Sequence, residues 1–153
     1  MKFFTALVSL GLAAVAAAQS IAIGAPADGT SVSAGQSLTV QVERPDSLTG
    51  STEVAIVISV APCSSSNIES CPDPSGRLGS TLYSGSFDPE FPTSSPGSTA
   101  NGYNGPQQNY TVIIPSNGLT SGNLALLSVV HLSLVGAGPY PLYEIKNVTL
   151  NIN

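Results

Sequence analysis

Tryptophan is absent from the sequence, histidine and methionine occur once each, and only two cysteines and four basic residues are present. A Ser-His-Asp arrangement needs a histidine as base, and only His131 is on offer, inside the most apolar stretch of the chain. With a single histidine and two cysteines, a zinc site lacks ligands. Paired carboxylates for sugar hydrolysis must converge in a cleft, and nothing in the pattern buries Asp46, Glu53, Asp88 or Glu90. The expectation is a protein that is not an enzyme and takes no cofactor or metal. Few basic residues also argue against nucleic acid and anionic membranes as partners, because both are bound through basic patches. Charged residues make up 8% of the chain, so Ser, Thr, Asn and Gly supply the polar surface. Apolar residues reach 42%, too many for a disordered chain.

A second long hydrophobic run is missing as well. The first runs from Phe3 to Val15, preceded by Lys2 and closed by Ala16, Ala17 and Ala18. That order is a secretory signal, with cleavage expected after Ala18 and Gln19 as the new N-terminus. The apolar stretch is shorter than the ~20 residues that span a bilayer. The far end, Asn147–Asn153, alternates polar and apolar residues and has no glycolipid-anchor tail. Residues 1–18 are thus read as signal peptide and 19–153 as one secreted, extracellular domain without a membrane anchor. A domain of this length buries roughly two-thirds of its unfolded surface. Its nine acidic residues outnumber Arg44, Arg77 and Lys146.

Cys63 and Cys71 enclose a polar loop in a chain bound for an oxidising compartment, which predicts a disulfide between them. Asn109-Tyr110-Thr111 and Asn147-Val148-Thr149 fit the N-glycosylation pattern.

Seven strands follow from apolar and β-branched runs between Gly, Pro, Asn and Ser breakers. They are Ile21–Ile23, Ser37–Glu43, Glu53–Val60, Leu78–Phe87, Tyr110–Ile114, Leu124–Val135 and a last one from Tyr143 onward. Val54, Ile56, Ile58 and Val60 share one face of the third. The sixth is apolar on both faces, so a helix competes there, but its β-branched residues favour a central strand. In the seventh, Tyr143 and Ile145 stand on one parity and Val148, Leu150 and Ile152 on the other. A β-bulge near Lys146–Asn147 is predicted to reconcile them. Asn109 and Asn147 fall on the solvent parity. The fold expected is an all-β immunoglobulin-like sandwich of about seven strands, with a jelly roll or small barrel as the alternative.

Two places suit partner binding. One is the long loop 87–107, with Phe91 and Tyr103. The other is the stiff turn Gly138-Pro139-Tyr140-Pro141-Leu142-Tyr143, where tyrosine loses little side-chain entropy on binding. Core packing at the sandwich end is the competing role for Tyr140 and Tyr143.

Several stretches resemble fungal necrosis-inducing secreted proteins. They are Pro26–Gly29, Ser33–Gly35, Val54–Val60 up to Cys63, Asn109–Pro115, His131–Gly136 and Tyr143–Thr149. The resemblance implies a plant-directed effector that provokes host cell death and damps pattern-triggered immunity. It also implies two partners, an immune co-receptor kinase and a receptor-like cytoplasmic kinase, and so host cytoplasm as a second site of action. It transfers no binding residue. The rival readings are a cell-wall-associated immunoglobulin-like module that binds glycan or wall protein, and an accessory domain parted from its enzyme.

Overall fold

The structure is a computed structural model that describes residues 20–46, 48–93 and 102–153. The expected signal peptide lies outside these residues. Eight strands form among them: β1 Ala22–Ala25, β2 Thr30–Val32, β3 Ser37–Glu43, β4 Ser51–Pro62, β5 Ser80–Gly85, β6 Gln107–Ile113, β7 Leu124–Val135 and β8 Tyr140–Ile152. They make two sheets, β1-β3-β6 and β2-β8-β7-β4-β5. All neighbours are antiparallel except β2 and β8, which run parallel. This is an immunoglobulin-like sandwich whose first segment serves both sheets, β1 in the smaller and β2 in the larger.

Alternation in β3 puts Val40 and Val42 inside, where they meet Tyr110 and Val112 of β6. From the larger sheet come Ile56, Ile58 and Val60 of β4, Leu127 and Val129 of β7, and Leu150 and Ile152 of β8. Each such aliphatic side chain contributes about 1.5–3 kcal/mol when fully buried. The stretch Leu124–Val135 is a strand paired on both edges, by β8 and β4; its inner face lies in the core, and its outer face is buried at Leu126 and Ser128 and half-buried at Val130, Leu132 and Leu134.

Three expectations need correction. β2 went unread because three residues are too few to display an alternation. The long connection is shorter than expected: Phe87 is buried in the core, and Glu90 and Gln107 exchange backbone hydrogen bonds. The third concerns register. The β7–β8 ladder is unbroken from Val135↔Tyr140 to Leu124↔Asn151, so no bulge lies near Lys146–Asn147. The shift falls on β4, between Glu53 and Ala55. Val54 is pushed out and is 45% exposed, parted from Ile56, Ile58 and Val60. Glu53 turns inward in its place. On β8 the inward parity is Glu144, Lys146, Val148 and Leu150, while Tyr143 and Ile145 face out.

The disulfide Cys63–Cys71 is formed. Its loop holds one 3-10 turn, Ile68–Ser70, capped by the Asn67 side chain. The loop is tied to β7 through Cys63 N–H to the Leu124 carbonyl and Leu124 N–H to the Ser65 carbonyl. The chain then comes close against β4 at Gly79, just before β5, where any side chain would strike the Val60 carbonyl oxygen and the Ala61 backbone.

Candidate functional site

The lower half of the larger sheet has an inverted polarity: its ionic groups are inside and its apolar groups outside. Inside, strand pairing sets His131 of β7 between Ile56 of β4 and Glu144 of β8. The β4 bulge brings Glu53 to the same level. His131 Nε2 is held by Glu53 Oε2, and Nδ1 lies 3.0 Å from Glu144 Oε1. The Phe87 and His131 rings make a T-shaped contact, their centres 5.4 Å apart. Glu53 also accepts from the Ser51 hydroxyl and pairs with Arg44 Nε at 3.4 Å. Glu144 accepts from the Ser20 hydroxyl and the Ile21 N–H, and Lys146 Nζ lies 3.6 Å away.

Burial works against charge on His131, but the hydrogen bonds and charges of the two carboxylates outweigh it and raise its pKa to about 9. Burial likewise pushes Glu53 and Glu144 up, yet the imidazolium and the N–H and O–H donors around them leave both below the usual carboxylate range. The ring is therefore an imidazolium at neutral pH, 1% exposed, with both N–H groups engaged. Neither nitrogen is free to take a proton from a bound molecule. Each carboxylate sits on its own side of the ring, and among the described residues no His, Cys, Asp and Glu side chains gather as a cation site. Sequence reasoning placed His131 inside the most apolar stretch of the chain and missed its partners; their one available signal was two carboxylates, Glu53 and Glu144, set among strand residues.

Outside, β8 presents Tyr143 and Ile145 beside Leu132 and Val130 of β7 and Val57 of β4. Tyr143 is 63% exposed and Tyr140 49%, so neither packs into the sandwich end. At Leu134 this face runs into an open groove of about 720 Å³ between the β3–β4 and β7–β8 connections, lined also by Leu48, Thr52 and Pro139. Toward the disulfide end, Ser59, Ala61, Leu126 and Ser128 have the same outward parity but are buried. The open apolar surface is thus confined to the half that carries the tyrosines.

The other sequence candidates lie elsewhere. Phe91 is exposed beyond the Glu90–Gln107 pair. Tyr103 is half-buried, and its hydroxyl donates to the Arg44 carbonyl at 2.9 Å. Burial, with Glu43 and Asp46 nearby, raises its pKa. Asn109 on β6 and Asn147 on β8 are both exposed on outward parity. Beside Asn147, Asp28 accepts from the Thr149 N–H and hydroxyl, each at 2.7 Å, and these bonds lower its pKa.

Fold and surface together define an immunoglobulin-like β-sandwich with one open, uncharged sheet face. The model of the Nis1 family matches residues 16–151, and the chain belongs to that family, one of necrosis-inducing, effector-like secreted proteins. No curated protein matches the chain. Among the described residues no helix is long and apolar enough to cross a membrane.

Proposed function

We propose that this chain is a secreted fungal effector that acts by binding and not by catalysis. It engages a plant immune co-receptor kinase or a receptor-like cytoplasmic kinase, provokes cell death and suppresses pattern-triggered immunity. The observation that carries this reading is the outward face of Tyr143, Ile145, Leu132 and Val130, with Tyr140 at its end. Two tyrosines are exposed there above half-buried Ile145, Leu132 and Val130 while the sheet's ionic groups are inside, the reverse of what solvation favours for a surface without a partner. Membership of a necrosis-inducing family supplies the biological setting. Secretion proceeds by cleavage after Ala18, and the first described residues, Ser20 and Ile21, are held by Glu144 directly after that point. Asn109 and Asn147 carry glycans.

The test is titration of a purified plant co-receptor kinase domain with the mature protein. An uncharged face gives binding that depends weakly on salt. A buried aromatic anchor contributes about 2 kcal/mol or more, so Tyr140→Ala and Tyr143→Ala, each shown to be folded by circular dichroism, are expected to weaken binding roughly thirtyfold. A wild-type protein that ignores the kinase and is retained on insoluble fungal wall glycan would transfer the case to the wall-module reading.

A further inference from the structure

β8 has a partner along its whole length on one side only. On the β7 side the ladder runs from Tyr140 to Asn151. On the other side β2 covers Leu150, Asn151 and Ile152 and no more. The hydrogen bonds at the covered end tell which backbone groups face which way. Ile152 bonds toward β7, to the Asn123 carbonyl and from the Gly122 N–H. Thr149 and Asn153 bond toward β2, through Gly29 N–H to the Thr149 carbonyl and Asn153 N–H to the Val32 carbonyl. Alternation along an unbroken antiparallel ladder then directs the N–H and C=O of Tyr143, Ile145 and Asn147 at the uncovered side. Among the described residues none pairs with them.

This edge is guarded only in part. Strand edges are commonly blunted by lysine, proline, inward-pointing charges, bulges or a covering segment. Pro141 at one end and the inward Glu144 and Lys146 are present, whereas a bulge and a strand over residues 143–147 are lacking among the described residues. Here the ladder has no bulge, and the edge-facing residues Tyr143, Ile145 and Asn147 carry no charge. The glycan on Asn147, on outward parity, stands off the outer face at the last residue of this stretch and leaves the backbone N–H and C=O of residues 143, 145 and 147 open. Lys146 is on inward parity beside Glu144. Pro141 also faces this side, where its missing N–H breaks no bond to β7. The edge is closed at one end by Asp28, an exposed carboxylate that occupies the Thr149 N–H.

We infer that β8 takes up an extended segment of its partner as an added strand, antiparallel to Tyr143–Asn147, with apolar side chains over the outer face and a basic residue against Asp28. This rests on the binding function proposed above and states how the partner is held. Main-chain bonds to residues 143, 145 and 147 supply the fit, and the Asp28 carboxylate sets the end of the segment. Asp28 and the acidic surplus of the chain favour a cationic end over an anionic one.

The test is residue-resolved amide hydrogen exchange by NMR on the mature chain. Two probes are used separately: a plant co-receptor kinase domain, and a capped hexapeptide Arg-Val-Thr-Val-Thr-Val. The amides of Tyr143, Ile145 and Asn147 are expected to slow at least tenfold with either probe. Those of Glu144 and Lys146, already bonded to β7, should change little. N-methylating the peptide amides that face β8 should abolish the effect. Ile145→Pro removes one edge amide, as Pro141 does naturally, and is expected to weaken both probes at least tenfold. Ile145→Val should bind like the wild type. Kinase binding without protection of these three amides overturns strand addition and leaves the proposed function standing. Peptide protection without kinase binding keeps strand addition and removes the kinase as partner. No protection by either probe overturns the inference, whether or not Ile145→Pro folds.

Discussion

His131 shows how one side chain fixes its surroundings. Its charged ring stands between two carboxylates that would otherwise repel each other in a medium of low dielectric. An ion cluster of this kind adds little net stability over apolar packing, but removing one member strands the rest. His131→Leu, similar in size and neutral, is therefore expected to cost about 3–5 kcal/mol by urea unfolding. A loss under 1 kcal/mol would mean the ring is neutral. The pH dependence follows from the same contacts. The folded pKa of His131, about 9, exceeds its ordinary value of 6.5. Its contribution is whole below pH 6.5, declines as pH rises and is gone above pH 9. The shift corresponds to something on the order of 3 kcal/mol. Glu53 and Glu144 are shifted the other way from 4.5, so their contribution is present above that pH and lost as pH falls through their lowered values. Stability should peak between about pH 4.5 and 6.5, as urea midpoints across pH would show; a maximum above pH 8 contradicts the assignment. None of this was legible from His131 alone, because its partners lie 78 and 13 residues away.

Strands Ser37–Glu43 and Leu124–Val135 could be read from the sequence to the residue, since the first alternates apolar with polar residues and the second is a β-branched apolar run bracketed by glycines. β4 and β8 were misread at the same level of the sheet, and for the same reason. Apolar parity assigned Val54, Tyr143 and Ile145 to the core, whereas the core there is ionic and the apolar residues stand outside. The bulge is a response to His131: with Glu53 on regular alternation, one imidazole N–H would lack its carboxylate. Two substitutions separate the registers. Val54→Asp is expected to shift stability by less than about 0.5 kcal/mol, as a surface change does, while Ile58→Ala should cost roughly 2–5 kcal/mol. Comparable losses for both would restore the sequence-based register. The disulfide loop is another local element. The Cys63→Ser, Cys71→Ser double variant should lose no more than about 2.5 kcal/mol and stay folded, because the loop is short and the core does not depend on it. Complete unfolding in native buffer would show that the loop also holds the covered half of the outer face.

For the molecule as a whole, the decisive pairing joins segments far apart in the chain. Among the described strands β2 pairs only with β8, which lies about 120 residues later. Such long-range closure makes folding slow compared with local pairing. A chain ending at Pro139 keeps seven of the described strands but loses Val148, Leu150 and Ile152 from the core and the strand that pairs with β2. It is expected to be unfolded by circular dichroism and digested at once by protease; a cooperative melt would disprove the dependence. The sequence showed the strands at both ends of the chain but not their parallel contact, because three residues of β2 leave no periodic trace. The same contact also orders events during manufacture. At roughly 5–20 residues per second, β7 waits on the order of one to three seconds for β8 to be synthesised. Until then the larger sheet lacks two of its five strands, β8 and the β2 that pairs with it, so a chain delivered N-terminus first cannot close its sandwich before its last strand arrives.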